Sequence, residues 1–128
     1  MKIDNIVIIG DNGIQLYNYK KETTIIETGF LNATWKFAED MRERRKISFD
    51  GKEIWSLYTG NYGIIIRHHN SFLVSVYIQF NKPFKEILDG ELLKKITDIG
   101  ITIGKIYKEL QNKKDFKSKI EKYIKKIH

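Results

Sequence analysis

Residues 52–80 of this 128-residue chain read KEIWSLYTGNYGIIIRHHNSFLVSVYIQF and give the strongest secondary-structure signal in the sequence. Its three longer segments are dominated by β-branched and aromatic side chains, the types that suit a pleated, half-buried surface. The segments are separated by residues 60–63 and 69–71, which are small or tolerate the left-handed conformation that tight hairpins require. The stretch therefore predicts a three-stranded antiparallel meander on which the other elements pack.

Two further strands are predicted before the meander. Residues 2–9 (KIDNIVII) end in an apolar run without alternation, which is typical of a strand buried on both faces, so we expect this strand to be central. Residues 10–13 (GDNG) are a strong turn signal, and residues 14–19 then alternate like an edge strand with one wet face. The first two strands should therefore form a hairpin.

A helix is predicted from about residue 29 to Arg45, with Thr28 as its N-cap. Its apolar residues spread over roughly 200°, about twice the width that one sheet needs. We assign the surplus, Leu31 and Trp35, to a second partner, and two alternatives stay open for it: another helix of the same chain or a second subunit. The arc comprises Ala33, Phe37, Phe30, Met41, Thr34, Ala38, Leu31 and Trp35.

Three helices are expected after the meander. A short one should span residues 83–88, and the next has an apolar seam at steps of four and three that should pack on the sheet. Gly100 and Gly104 lie one turn apart in it, and each costs about 1 kcal/mol in a helix interior, so we expect a close approach to a neighbouring element there. Asp115 should cap the last helix. The seam comprises Leu92, Ile96, Ile99, Ile103, Ile106 and Leu110.

Length and composition limit the class of protein. At 15.1 kDa the chain suits one domain, with residues 1–111 as its body and residues 112–128 as a basic amphipathic helix of the same domain. No apolar run approaches the ~18 residues of a membrane span, and the first residues begin a strand rather than a signal peptide, so we expect a cytoplasmic protein. The chain has no cysteine, which excludes thiolate metal ligands and cysteine nucleophiles.

The net charge of +7 is concentrated towards the C-terminal end. Residues 105–128 contain nine lysines and three acidic residues, whereas residues 1–104 contain 14 Lys/Arg and 13 Asp/Glu. The last helix either docks on its domain with a solvated lysine face or lies on an anionic membrane. Nucleic acid is a weaker candidate, because this face has no arginine and no aromatic residue among its lysines. The basic surface comprises Lys113, Lys114, Lys117, Lys119, Lys122, Lys125 and Lys126.

No catalytic or metal-binding motif emerges from the sequence. Residues 100–105 (GITIGK) are one residue short of a phosphate loop and lie within a helical seam. His68 and His69 are adjacent on a strand and point to opposite faces, so we expect no shared metal and no function for the pair. Carboxylate pairs occur without a nucleophile or base at telling spacing. These motifs therefore give no support for a catalytic, metal-binding or cofactor-binding site, and we expect no metal and no cofactor.

The order strand, strand, helix, three strands and helices resembles the longin and roadblock superfamily. These are α/β domains with a central five-stranded antiparallel sheet, in the order β-β-α-β-β-β-α-α here, and with helices on its faces. The likeness lies in residues 6–17 (IVIIGDNGIQLY), similar to the family's opening hairpin, and residues 30–38 (FLNATWKFA), similar to its first helix. It spans about residues 3–111, while the helix after residue 115 departs from the family. The absence of a helix before the first strand favours the longin side.

The resemblance implies a scaffold rather than an enzyme. Such domains pair through the first helix and a neighbouring sheet edge, as homodimers or as heterodimers with another longin or roadblock chain. They act as platforms for small Ras-like GTPases or as trafficking modules, some at membranes. Carried over to this chain, the partner interface would comprise Phe30, Leu31, Trp35 and Ala38. The alternative function is peripheral membrane or nucleic-acid binding through the basic C-terminal helix.

Overall fold

The computed structural model describes residues 1–20, 25–83, 90–110 and 115–127. These residues form an α/β fold with a five-stranded antiparallel sheet and three helices. The predicted helix at residues 83–88 lies almost entirely outside the described residues. In chain order the elements are β1 (Lys2–Gly10), β2 (Gln15–Asn18), α1 (Ile25–Arg45), β3 (Lys52–Thr59), β4 (Tyr62–His69), β5 (Phe72–Gln79), α2 (Gly90–Leu110) and α3 (Phe116–Ile127).

The sheet has the strand order β2-β1-β5-β4-β3, and every neighbouring pair is antiparallel. The predicted meander is confirmed as β3, β4 and β5, and the predicted hairpin as β1 and β2. β1 lies between β2 and β5, so its buried position inside the sheet also agrees with its continuous apolar run. The turns suit their residues, since Gly13 and Gly60 adopt positive φ angles of 77° and 57°. Among the described strands, β2 and β3 form the two edges.

The sheet separates two apolar clusters, because successive residues of a strand point to opposite faces. Helix α1 covers one face, where Leu31 and Trp35 pack with Val7, Ile9 and other strand residues. Helices α2 and α3 cover the opposite face. There the buried helix residues Ile96, Ile99, Ile103, Ile120 and Ile124 pack with strand residues that include Ile6, Ile8 and Val76. The fold therefore has three layers, helix, sheet and helices.

Helix α1 begins at Ile25, earlier than predicted, so Thr28 lies within its first turn and is not its N-cap. A threonine before an apolar run suits either position, and the local pattern does not distinguish them. The cap of α3 is confirmed, since the carbonyl oxygen of Asp115 accepts the first intrahelical bond from Lys119 N at 3.0 Å. The described part of the α2 seam packs on the sheet as predicted.

The two glycines of α2 allow a close approach to β4, as predicted. A Cβ at Gly100 would lie 2.5 Å from Cδ of Arg67, and a Cβ at Gly104 would overlap the imidazole ring of His69. β4 therefore presents two large polar side chains to this face of the sheet, and the helix passes over them where it has no side chain of its own. This contact explains why the seam tolerates two residues with poor helix propensity.

Candidate functional site

Helix α1 turns most of the predicted partner residues towards its own sheet. Leu31, Trp35 and Ala38 are 1%, 4% and 1% exposed, whereas Phe30 is 40% exposed. The prediction that Leu31 and Trp35 face a second partner is therefore wrong. The sheet of the same chain covers both residues, rather than another helix or a second subunit. An apolar arc has two ends, and periodicity does not say which end faces the sheet. Pairing through α1 remains a prediction, with Phe30 as the predicted residue that a partner can reach.

The other end of the apolar arc forms one wall of a groove. This groove has a volume of about 300 Å³ and lies between α1 and the edge strand β3. The rings of Phe30 and Trp55 meet edge to face across it, with centroids 4.7 Å apart. Phe37 is 58% exposed, an unusual position for a phenylalanine in a helix that is otherwise anchored to a sheet. We call this feature the α1–β3 groove; it is lined by Phe30, Ala33, Thr34, Phe37, Ile54 and Trp55.

Strand β3 gives the groove an open edge. Within the described residues β3 pairs with β4 alone, so its second edge carries backbone groups that another strand can bind. Leu57 lies two residues beyond Trp55, on the same face of the sheet, and is 47% exposed. The register of β3 shifts between Glu53 and Trp55, which marks a β-bulge beside the groove. Apolar side chains and an accessible strand edge therefore lie next to each other.

A buried polar cluster lies behind the groove on the same face of the sheet. The imidazole of His68 is 1% exposed, and its ring centroid lies 4.7 Å from that of Trp35. His68 Nε2 is 3.3 Å from Glu39 Oε1, an ion-pair distance without hydrogen-bond geometry. Arg42 donates a hydrogen bond to the second carboxylate oxygen of Glu39 at 2.7 Å.

Burial lowers the pKa of His68, and Arg42 adds to this effect, while Glu39 and Asp50 oppose it. The imidazole is therefore neutral at pH 7. It is closed to solvent, so a substrate cannot reach its nitrogens. The cluster consequently ties α1 to β4 through packing and a carboxylate contact, and its arrangement does not provide an accessible acid or base.

His69 points to the opposite face of the sheet, as predicted from the alternation of a strand. Its ring stacks on Phe72, with centroids 4.7 Å apart and an interplanar angle of 10°. Burial is the main cause that lowers its pKa from 6.5 to about 4. Arg67 lies on the same face and donates a hydrogen bond to the carbonyl oxygen of Gly51 at 3.0 Å. Across the described ranges, no three His, Asp or Glu residues are grouped so as to hold a metal ion.

The basic C-terminal helix is docked on the domain. Ile120 and Ile124 of α3 are fully buried in the cluster beneath α2, and Phe116 packs against Tyr17 and Tyr107. The apolar face of α3 is thus occupied by its own domain. The predicted residues Lys113 and Lys114 lie outside the described residues. The side chains of Lys117, Lys119, Lys122, Lys125 and Lys126 are exposed.

A second depression, of about 360 Å³, lies at the other edge of the sheet, where β2 meets α3. Its walls mix polar and apolar groups, including Tyr19, Lys117 and Glu121. Tyr17 also lines it, and burial, followed by the charge of Glu121, raises the pKa of Tyr17 to about 12. The hydroxyl of Tyr17 is shielded from solvent. This depression is therefore less apolar than the α1–β3 groove, and the Tyr17 hydroxyl in its wall is not accessible.

Sequence analysis did not assign five of the six groove residues to a site: Ala33, Thr34, Phe37, Ile54 and Trp55. Ala33, Thr34 and Phe37 belong to the predicted apolar arc, so the excess width of that arc was the available signal. Ile54 and Trp55 were interpreted as ordinary strand residues. Their proximity to α1 depends on the position of β3 in the sheet and on which face of the sheet α1 covers. The local sequence pattern reveals neither.

Two further findings bear on the class of protein. In the part of the chain that the structure describes, none of the helices has the length and apolarity needed to cross a lipid bilayer. No known family model matches this chain, and a comparison with curated proteins finds no similar sequence.

Proposed function

We propose that this chain is a non-enzymatic, longin-like scaffold that pairs with a second longin or roadblock chain and binds a small Ras-like GTPase or a trafficking partner. The observation that carries the proposal is the α1–β3 groove with its open strand edge. The five-stranded antiparallel sheet with helices on both faces supports the assignment at the level of fold class only. The role of the groove is argued from its chemistry.

The exposed side chains of the groove are the kind that drive protein association. Phe30 and Phe37 are 40% and 58% exposed, and Leu57, two residues beyond Trp55 on β3, is 47% exposed. Aromatic residues bury large areas at interfaces and are enriched among the residues that dominate binding energy. Removing such a side chain from water contributes roughly 1.5–3 kcal/mol when burial is complete. Three partly exposed apolar residues, two in the groove and one on its β3 wall strand, therefore favour an apolar partner surface.

A folded chain is a better occupant of the groove than a small molecule. One wall is β3, which pairs only with β4 within the described residues, and the outer side of such an edge strand can bind a strand from another protein. A partner that adds a strand to β3 would also cover Leu57 and the aromatic residues of α1. A second domain with a similar sheet can supply both a strand and an apolar helix face. Pairing would also protect an edge that otherwise invites aggregation.

The proposed mechanism is scaffolding. Two paired chains form a rigid surface, and this surface binds a Ras-like GTPase more tightly in one of its nucleotide states. Because a binding partner shifts a two-state equilibrium only by its differential affinity, the scaffold would change the fraction of the GTPase in that state without acting on the nucleotide itself. This mechanism requires neither a catalytic residue nor a cofactor in this chain.

The first test is light scattering coupled to size-exclusion chromatography, on the wild-type protein and two variants. Phe37→Glu places a charge in the groove and should convert the dimer to a monomer. Ile14→Glu is the matched control, because Ile14 is also 58% exposed but lies at the β1–β2 turn; this variant should remain dimeric. Both variants should keep the wild-type circular dichroism spectrum.

A dimer that persists in Phe37→Glu would refute the groove as the pairing surface. If the wild-type chain is monomeric alone, the same two variants are compared for binding to longin or roadblock chains encoded in the same genome. The second test adds Ras-like GTPases from that genome, loaded with GDP or with a non-hydrolysable GTP analogue. Co-elution that prefers one nucleotide form would support the platform, whereas equal or absent binding of all of them would contradict it.

A further inference from the structure

Helix α3 carries a row of lysines on the side that faces away from the domain. Ile120 and Ile124 mark its buried side, since both are 0% exposed. With 3.6 residues per turn, Lys119, Lys122, Lys125 and Lys126 fall on the opposite side, together with Ser118 and no acidic residue. Glu121, the one acidic residue of the helix, lies at its flank beside Lys117. We call these four residues, Lys119, Lys122, Lys125 and Lys126, the lysine stripe.

The lysine stripe has no ion-pair partner among the described residues. Helix α1 provides the contrast, since Arg42 and Arg44 lie 2.7 and 3.1 Å from the carboxylates of Glu39 and Asp40. Helix α1 contains four basic and four acidic residues, whereas α3 contains five lysines and one glutamate. The positive charge of the protein is thus left uncompensated on one outward surface.

We infer that the lysine stripe docks on the headgroups of an anionic lipid bilayer. The apolar side of α3 is already buried against the domain, so the contact would be electrostatic and reversible, without insertion of the helix. The stripe has no arginine for bidentate base contacts and no aromatic ring for base stacking, which disfavours a nucleic acid. A flat anionic surface requires neither, because each ammonium group interacts with it as a point charge.

The position of the stripe is compatible with binding at the α1–β3 groove at the same time. Helices α2 and α3 cover one face of the sheet, and α1 covers the other. A molecule that rests on a membrane through α3 would therefore present the groove away from the lipid. The inference does not depend on the proposed function, because it is carried by the charges of α3 alone.

Vesicle co-sedimentation tests the inference directly. The full chain is mixed with phosphatidylcholine vesicles that contain either no anionic lipid or about 30% phosphatidylserine, at about 50 and 150 mM NaCl. Each lysine near such a surface strengthens binding by roughly fivefold. Replacing all four lysines of the stripe with glutamine should therefore weaken binding to the anionic vesicles by about a hundredfold or more at the lower salt. Higher salt should weaken the wild-type binding.

The control variant removes the same charge elsewhere. Lys2, Lys36, Lys52 and Lys82 are exposed and lie outside α3, so replacing these four with glutamine lowers the net charge equally. This variant should lose less than about threefold in affinity. Equal losses in the two variants would show that net charge, and not the stripe, determines binding, and would overturn the inference. Equal binding to both kinds of vesicle, or tighter binding to a DNA duplex than to anionic vesicles at the higher salt, would also overturn it.

Discussion

Replacement of Gly104 with alanine tests the close approach of helix α2 to strand β4. The added Cβ would overlap the imidazole of His69. That ring cannot simply turn aside, because it stacks on Phe72 at 4.7 Å, and Phe72 in turn meets Tyr107 edge to face at 4.7 Å. The helix, the imidazole or the phenyl ring must therefore move to accept one methyl group.

Two opposing effects determine how much Gly104→Ala changes the free energy of unfolding. Alanine improves helix propensity by about 1 kcal/mol relative to glycine. Overpacking of a core costs roughly 1–3 kcal/mol, and an overlap with a ring held by two neighbours favours the upper end of that range. We therefore expect a net loss of about 2 kcal/mol, which corresponds to a decrease of about 7 °C in Tm for a domain of this size.

Two other glycine substitutions calibrate the result. A Cβ at Gly29 in α1 meets no atom within 4 Å, so Gly29→Ala should gain the full helix propensity and stabilise the protein by about 0.5–1 kcal/mol. At Gly100 the Cβ meets the aliphatic part of Arg67, which can yield more easily than a stacked ring, although its guanidinium is bonded to Gly51. We expect Gly100→Ala to cost about 1 kcal/mol.

Urea unfolding followed by circular dichroism measures all three variants, with an unchanged m-value as the condition for comparison. Combining Gly104→Ala with His69→Ala should recover at least about 1 kcal/mol relative to the sum of the single changes, because the two residues are in contact. If Gly104→Ala instead stabilises the protein as Gly29→Ala does, α2 does not approach β4 as closely as described and the reasoning is refuted.

Three further predictions concern the interior. Tyr62 donates a hydrogen bond to Asp4 Oδ2 at 2.6 Å, so Tyr62→Phe should lower the free energy of unfolding by about 1–2 kcal/mol in urea titrations, and no change would show that the bond does not form. The pKa of His69 is about 4 in the folded protein and near 6.5 when unfolded, so the unfolded state binds more protons between these values. The free energy of unfolding should therefore fall as the pH decreases from about 6.5, by up to about 2 kcal/mol at pH 5. The His69→Gln variant should show a flatter dependence of stability on pH. Identical dependences in the two proteins would contradict the burial of this imidazole. Trp35 is 4% exposed and packs between α1 and the sheet, so Trp35→Ala should lower the free energy of unfolding by about 3–5 kcal/mol in thermal or urea unfolding. A decrease below about 1 kcal/mol would argue that α1 presents this residue to a partner instead.

Local patterns were sufficient for most of the fold. β-Branched runs separated by short turns predicted all five strands, because strand formation and hairpin geometry depend on neighbouring residues. The seam of α2 predicted a helix on the sheet, and Gly100 and Gly104 predicted a close contact without naming its partner. The partners are Arg67 and His69, which lie more than 30 residues earlier in the chain. Only the register of the sheet brings them under the helix.

The candidate site was predicted less well than the fold. Its helix was identified from the excess width of the apolar arc, but the accessible end of that arc was assigned to the wrong side. Leu31 and Trp35 pack on the sheet, and Phe37 faces solvent. The two ends of the arc have similar hydrophobicity, so the local sequence does not indicate which end packs on the sheet. The choice depends on which end fits the twisted surface of the strands.

The hairpin, the meander, the amphipathic helices and the excess of lysine in α3 could all be predicted from local sequence. These properties follow from period, propensity and charge, which act between residues close in the chain. Only the folded structure shows that β3 is an edge among the described strands, that α1 leaves Phe30 and Phe37 in a groove with Trp55, and that α3 docks on its own domain. Each of these depends on packing between residues far apart in sequence, where shape complementarity rather than local preference sets the lowest free energy.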